Sequence, residues 1–144
     1  MSITDNISYK LAMELKSIGF NHPCTSFYTK EDAPDDQVWL STADAENYND
    51  VSFDCPFYVP VCSAPSYHLV LEWLREKYQM HCFAVVDDDV EEGETEIWHG
   101  ANQWVNGGLS LPIPGHWKSW TEAIESAISH AIPIVRNLAM ERKP

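Results

Sequence analysis

The 144-residue sequence predicts an α+β fold, with an antiparallel sheet covered by three helices. Three observations lead there. Apolar residues recur at helical spacing in three separated stretches, one near each end and one in the middle. Between them lie short runs rich in aromatic and β-branched residues, joined by turns too short for a parallel crossover. Hydrophobic residues make up 44% and charged residues 22%, ordinary globular usage that argues against a disordered or collagen-like chain. The expected order is helix-β-β-helix-β-β-helix, a two-layer single domain over residues 1–144 with a sheet of about four strands.

Each element has its own signal. Ile7, Leu11, Leu15 and Ile18 step onto one face and predict a helix over 6–18, with Asp5 as N-cap and Gly19 as a left-handed stop. Residues 24–28 and 37–40 read as short strands around a turn containing Pro34. Residues 43–56 are polar and acidic and read as irregular, and 57–59 is expected to form an edge strand between Pro56 and Pro60. A second helix is expected after a Ser63 cap, with Pro65 in its first turn. Its apolar face is Tyr67, Leu71, Leu74 and Tyr78, widened by Val70 and Trp73, and His68 and Glu72 are placed to pair one turn apart.

Beyond Gln79 the period changes to that of a strand. The run 81–86 and the pieces 97–98 and 103–105, interrupted by His99-Gly100, predict a β-hairpin. Its tip, 87–96, holds seven acids in ten residues and lacks the EF-hand calcium-loop layout. A solvated tip is expected. Asn106-Gly107-Gly108 is a turn, and 109–111 is a further short strand closed by Pro112 and Pro114. The last helix opens on a capping box, Ser119-x-x-Glu122. Its stripe is Trp120, Ala123, Ile124, Ala127, Ile128, Ala131, Ile132, Val135 and Leu138, with a kink expected at Pro133.

The net charge of −13 is unevenly spread. Between Glu31 and Trp117 there are 17 acids and only two bases, Arg75 and Lys77. Such a stretch opposes direct binding to nucleic acid or anionic lipid and attracts a basic protein surface. The competing reading is that the acids only keep a small domain soluble. Six tryptophans are a heavy load, and Trp98, Trp104 and Trp117 lie in polar or Gly/Pro-rich sequence where interface anchors are common. They serve equally well as caps on a small core.

The four cysteines, Cys24, Cys55, Cys62 and Cys82, form no C-x-x-C, and neither His22 with Cys24 nor His81 with Cys82 has zinc-module spacing. No metal and no cofactor are expected. Phosphate-cradling loops, nucleophile elbows and dinucleotide fingerprints are absent from the sequence. Cys62, just before the expected second helix, is the best nucleophile candidate, since a helix N-terminus lowers a thiol pKa. The N-terminus has neither a basic n-region nor an apolar h-region, and no apolar run is long enough to span a bilayer, so a cytoplasmic location is expected.

Ser63-Ala64-Pro65-Ser66-Tyr67, continuing to Trp73-Leu74-Arg75-Glu76-Lys77-Tyr78 and a following strand, resembles small uncharacterised proteins of bacterial mobile elements and phages. That group continues with a hairpin and a helix carrying Y/W-x-E-A, matched here by Trp120, Glu122 and Ala123. The resemblance covers the second half of the chain and implies a fold without an activity. Separately, 119–132 after its hairpin is similar to the C-terminal part of HicB-type antitoxins.

The leading expectation is therefore a non-catalytic acidic interaction protein of phage or mobile-element type. Its partner would be a basic protein, and one version is an inhibitor that occupies a nucleic-acid-binding cleft. The expected contact residues are Asp87, Asp88, Asp89, Glu91, Glu92, Glu94, Trp98, Trp104 and Trp117. A HicB-like antitoxin and a small Cys62-based enzyme are the alternatives, and a homodimer stays open.

Overall fold

A computed structural model describes residues 6–30, 37–50, 59–86, 97–104, 111–113 and 115–141. Among them are α1 (Tyr9–Ser17), β1 (Cys24–Thr29), β2 (Trp39–Glu46), β3 (Pro60–Ser63) and α2 (Tyr67–Tyr78). The order continues with β4 (Met80–Val86), β5 (Trp98–Trp104), β6 (Leu111–Pro112) and α3 (Trp120–Glu141). The fold is α+β. Two antiparallel three-stranded sheets, β2-β1-β3 and β4-β5-β6, replace the expected single sheet of four. The reason is local pairing. Both edges of β1 and both edges of β5 are taken by short neighbouring segments, so neither central strand needs the other sheet for its backbone groups. The chain divides inside α2 into two compact units, Met1–Val70 and Leu71–Pro144.

In the first unit α1 starts later than expected. Asn6 and Ile7 are drawn into extended pairing, with Asn6 Nδ2 donating to Ala64 O at 2.7 Å and Ile7 N–H to Pro65 O at 3.0 Å. Ser8 caps the helix, its hydroxyl accepting from Leu11 N–H at 3.4 Å; Asp5 lies outside the described residues. The expected stop holds. Gly19 adopts φ +90°, its N–H reaches Lys16 O, and Phe20 N–H reaches Leu15 O, the two bonds of a Schellman ending with Leu15 and Phe20 both buried.

β2 runs on through Glu46, across sequence expected to be irregular. As the edge strand it buries none of its residues, so no apolar alternation announces it. Its pairing with β1 shifts register between Cys24 and Ser26. The expected strand over 57–59 is displaced: Phe57 and Tyr58 lie outside the described residues, Val59 is not in a strand, and β3 begins at Pro60. Ser63 is a buried strand residue, its N–H bonded to Asn49 Oδ1 at 2.8 Å and its hydroxyl accepting from Tyr48 N–H at 3.0 Å. Ser66 caps α2 instead, through Leu69 N–H at 3.2 Å.

In the second unit α2 ends on Gln79 at φ 59°, with Gln79 N–H closing on Arg75 O at 3.1 Å. Val70 and Trp73 lie deeper than expected, and Leu71 is only half-buried. β4 and β5 pair without interruption from Met80↔Trp104 to Val86↔Trp98, so His99-Gly100 does not break the strand. Gly100 is where α3 comes closest: a Cβ there would stand 2.7 Å from Ala123 O and 3.3 Å from Ala127 Cβ. The α3 core runs from Ala123 through Ile124, Ala127, Ile128, Ala131 and Ile132 to Val135, as its spacing predicts. Trp120 and Leu138 are half-buried, and Pro133 sits on the exposed side while the helix continues to Glu141. Ser119 caps it through Glu122 N–H at 3.2 Å. β6 occupies Leu111–Pro112, and the rest of the expected 109–111 strand lies outside the described residues.

Candidate functional site

The site is built at the end of the β4–β5 hairpin. Val86 and Trp98 are register partners, so the two ends of the intervening chain are held side by side. That chain carries Asp87, Asp88, Asp89, Glu91, Glu92 and Glu94 in its sequence and lies outside the described residues, as does the solvated tip expected there. At its root Trp98 meets Trp117. Trp98 N–H donates to Trp117 O at 2.7 Å, and Trp117 N–H donates back to Trp98 O at 2.9 Å. Both side chains are half-buried.

The turn leading into Trp117 depends on a glycine. Gly115 takes φ +107°, and a Cβ there would approach the Trp117 ring to 3.1 Å. Its carbonyl accepts from His99 Nδ1 at 3.2 Å, which places the proton of a neutral His99 on Nδ1. Thus a strand residue, a turn glycine and two tryptophans lock together where the acidic connection begins. Trp104 is not part of this group. It ends β5 opposite Met80, six residue steps or about 20 Å from Trp98.

The thiols occupy a different chemistry from the one a catalyst needs. Cys62 is fully buried in β3, opposite Tyr28 and four residues ahead of the Ser66 cap, so the helix N-terminus does not reach it. Burial pushes its thiol up to about 12, against a smaller opposing pull from Lys16. Burial likewise raises Cys82 to about 12 and Cys24 to about 11, the latter partly offset by a hydrogen bond with Ser63. Cys62 is therefore a buried thiol held away from the helix N-terminus that would activate it. Strand alternation also separates the neighbours His81 and Cys82, one exposed and stacked on Phe83, the other buried beneath α3. Among the described residues no three His, Cys, Asp or Glu side chains group as metal ligands.

Two further features escaped sequence reasoning. A cleft of about 370 Å³ is lined by Leu71, Glu72, Arg75, Glu76, His81 and Cys82. Beneath α3, buried Asn102 stands opposite Cys82, and its Oδ1 has no hydrogen-bond partner among the described residues. Only the burial of β5 distinguishes this Asn from the surface asparagines, and its sequence context carries no such signal.

No family model, curated protein or solved structure matches this chain. Among the described residues no helix is long and apolar enough to cross a membrane.

Proposed function

We propose that this chain is a non-catalytic acidic interaction protein of phage or mobile-element type, acting in the cytoplasm on a basic protein partner. In this reading its carboxylates stand in for nucleic-acid phosphates and occupy a positively charged cleft. The single observation that carries it is the position of seven acids, within 87–96 of the sequence, between the register partners Val86 and Trp98, with Trp98 tied to Trp117 by two backbone bonds. Charge concentrated on a connection with fixed ends steers a basic surface toward one place on the molecule. Trp98 and Trp117, each only partly buried, offer apolar contact beside that charge.

The test begins with affinity capture from the native host. The captured protein should bind nucleic acid through a basic cleft, be displaced by duplex DNA, and be released as salt rises. Replacing Asp87, Asp88 and Asp89 by Asn should then slow association and flatten the salt dependence, with the melting temperature nearly unchanged. An association rate that is the same at low and high salt, in both forms, would sink the electrostatic reading.

A further inference from the structure

The second sheet has an open edge, and a cleft lies against it. β4 stands at the end of the order β4-β5-β6, and among the described residues its backbone hydrogen bonds all belong to the ladder with β5. Alternate residues of an antiparallel strand turn their N–H and C=O groups away from the partner. Met80–Val86 therefore presents a row of unpaired donors and acceptors along its other edge. β2, an edge strand of the first sheet, is guarded by Asp44 and Glu46, both exposed, and its ladder shifts register. β4 has no acid, lysine, arginine or proline, and its register is unbroken.

The cleft of about 370 Å³ borders this edge. Its lining includes both His81 and Cys82, neighbours whose side chains leave opposite faces of the strand, so it meets β4 along the edge that β5 leaves open. The facing wall is one side of α2, with Leu71 half-buried and Glu72, Arg75 and Glu76 exposed. Glu72 and Glu76 are one turn apart on that wall, and neither carboxylate has a hydrogen-bond or ion-pair partner among the described residues. Like charges at that spacing repel, and a cation between them relieves the repulsion. We infer that the cleft admits an extended peptide segment of a protein partner, which adds a strand to β4 and sets a lysine or arginine between Glu72 and Glu76. Main-chain bonds to the open edge supply affinity, and the carboxylate pair supplies specificity. Arg75, on the same wall, offers donors for a carbonyl of that segment. The β4 of a second copy fits less well, since it brings neither lysine nor arginine to the carboxylate pair. This site is formed by residues other than 87–96 and stands whether or not that connection binds a partner.

The test uses the full chain and a short peptide alternating lysine and valine, with a Glu/Val peptide as control. Calorimetry should find binding of the lysine peptide alone. On binding, amide exchange should slow at alternate residues of Met80–Val86 and stay unchanged in β2. Glu72→Gln with Glu76→Gln should weaken binding about fivefold, with the melting temperature nearly unchanged. Asn at Asp87, Asp88 and Asp89 should weaken it less, and the slowing in β4 should persist in that variant. Binding that leaves exchange in β4 unchanged, or that is lost in the triple Asn variant and untouched in the double Gln variant, would overturn this inference and leave the proposed function standing. No binding of the lysine peptide at low salt would also overturn it. So would a chain that sediments as a dimer which the peptide dissociates, since the edge would then belong to a second copy.

Discussion

Trp39 and Trp98 hold equivalent positions in their two hairpins, each the first residue of a returning strand after an acid-rich connection, and their surroundings differ. Trp98 has both backbone groups bonded to Trp117 and a half-buried side chain, because the chain comes back through the Gly115 turn to lie along it. Trp39 belongs to an edge strand and keeps 49% of its surface in solvent. The same local pattern thus yields a braced tryptophan in one unit and an exposed one in the other. What differs is a distant segment that returns in one case, which no window around the tryptophan can report. The sheets differ in the same sense: α3 closes tightly over β4–β5 at Gly100, whereas β2 buries no residue at all.

The largest expected effect tests whether the two units are separate in energy. Phe27 is buried and stacked on Tyr48 with ring centroids 4.5 Å apart, and Ile128 is fully buried in α3. Phe27→Ala should cost about 3–5 kcal/mol and Ile128→Ala about 2–5 kcal/mol. Amide exchange should then accelerate in residues 6–70 for the first and in 71–141 for the second. Equal acceleration in both halves from either substitution would show one cooperative block.

A smaller pair of effects separates tertiary from local constraint. Gly100→Val forces a side chain against the Ala123 carbonyl and should cost about 1–3 kcal/mol, felt throughout α3. Gly19→Ala meets no atom within 4 Å and pays only for the left-handed backbone, about 1–2 kcal/mol. A Gly100→Val melt that shows no loss of stability would contradict the close approach at Gly100.

The smallest effect is on pH dependence. Each buried thiol keeps its proton in the folded chain until about 11 for Cys24 and about 12 for Cys62 and Cys82, while the unfolded thiol releases it near 9.0. Their contribution is fully present below pH 9 and is lost as pH rises toward 12, because only the unfolded state then gains by ionising. Stability should fall through that window, less steeply in a Cys82→Ala background. A thiol reagent at pH 8 should label these three cysteines slowly until denaturant is added, and rapid native labelling of Cys62 would reverse our view of its burial.

Much of the architecture is legible in the sequence where one period dominates. The α3 stripe, the Gly19 stop, the Ser119 cap and the β4–β5 hairpin follow from spacing, conformational freedom and local hydrogen bonding, which act within a few residues. The acid-rich connections are also a property of composition alone. Tertiary structure decided the rest. Ser63 is the cap the sequence predicts, yet it is spent on Tyr48 and Asn49 because β3 pairs with β1, and Ser66 caps α2. β2 could not be read past Leu40, since an edge strand in water needs no apolar alternation. Cys62 looked placed for activation until β3 buried it. Trp117 reached Trp98 across 18 residues through a glycine turn. Contacts of that kind join residues far apart in the chain, and their energies depend on burial and partner, neither of which a local pattern contains.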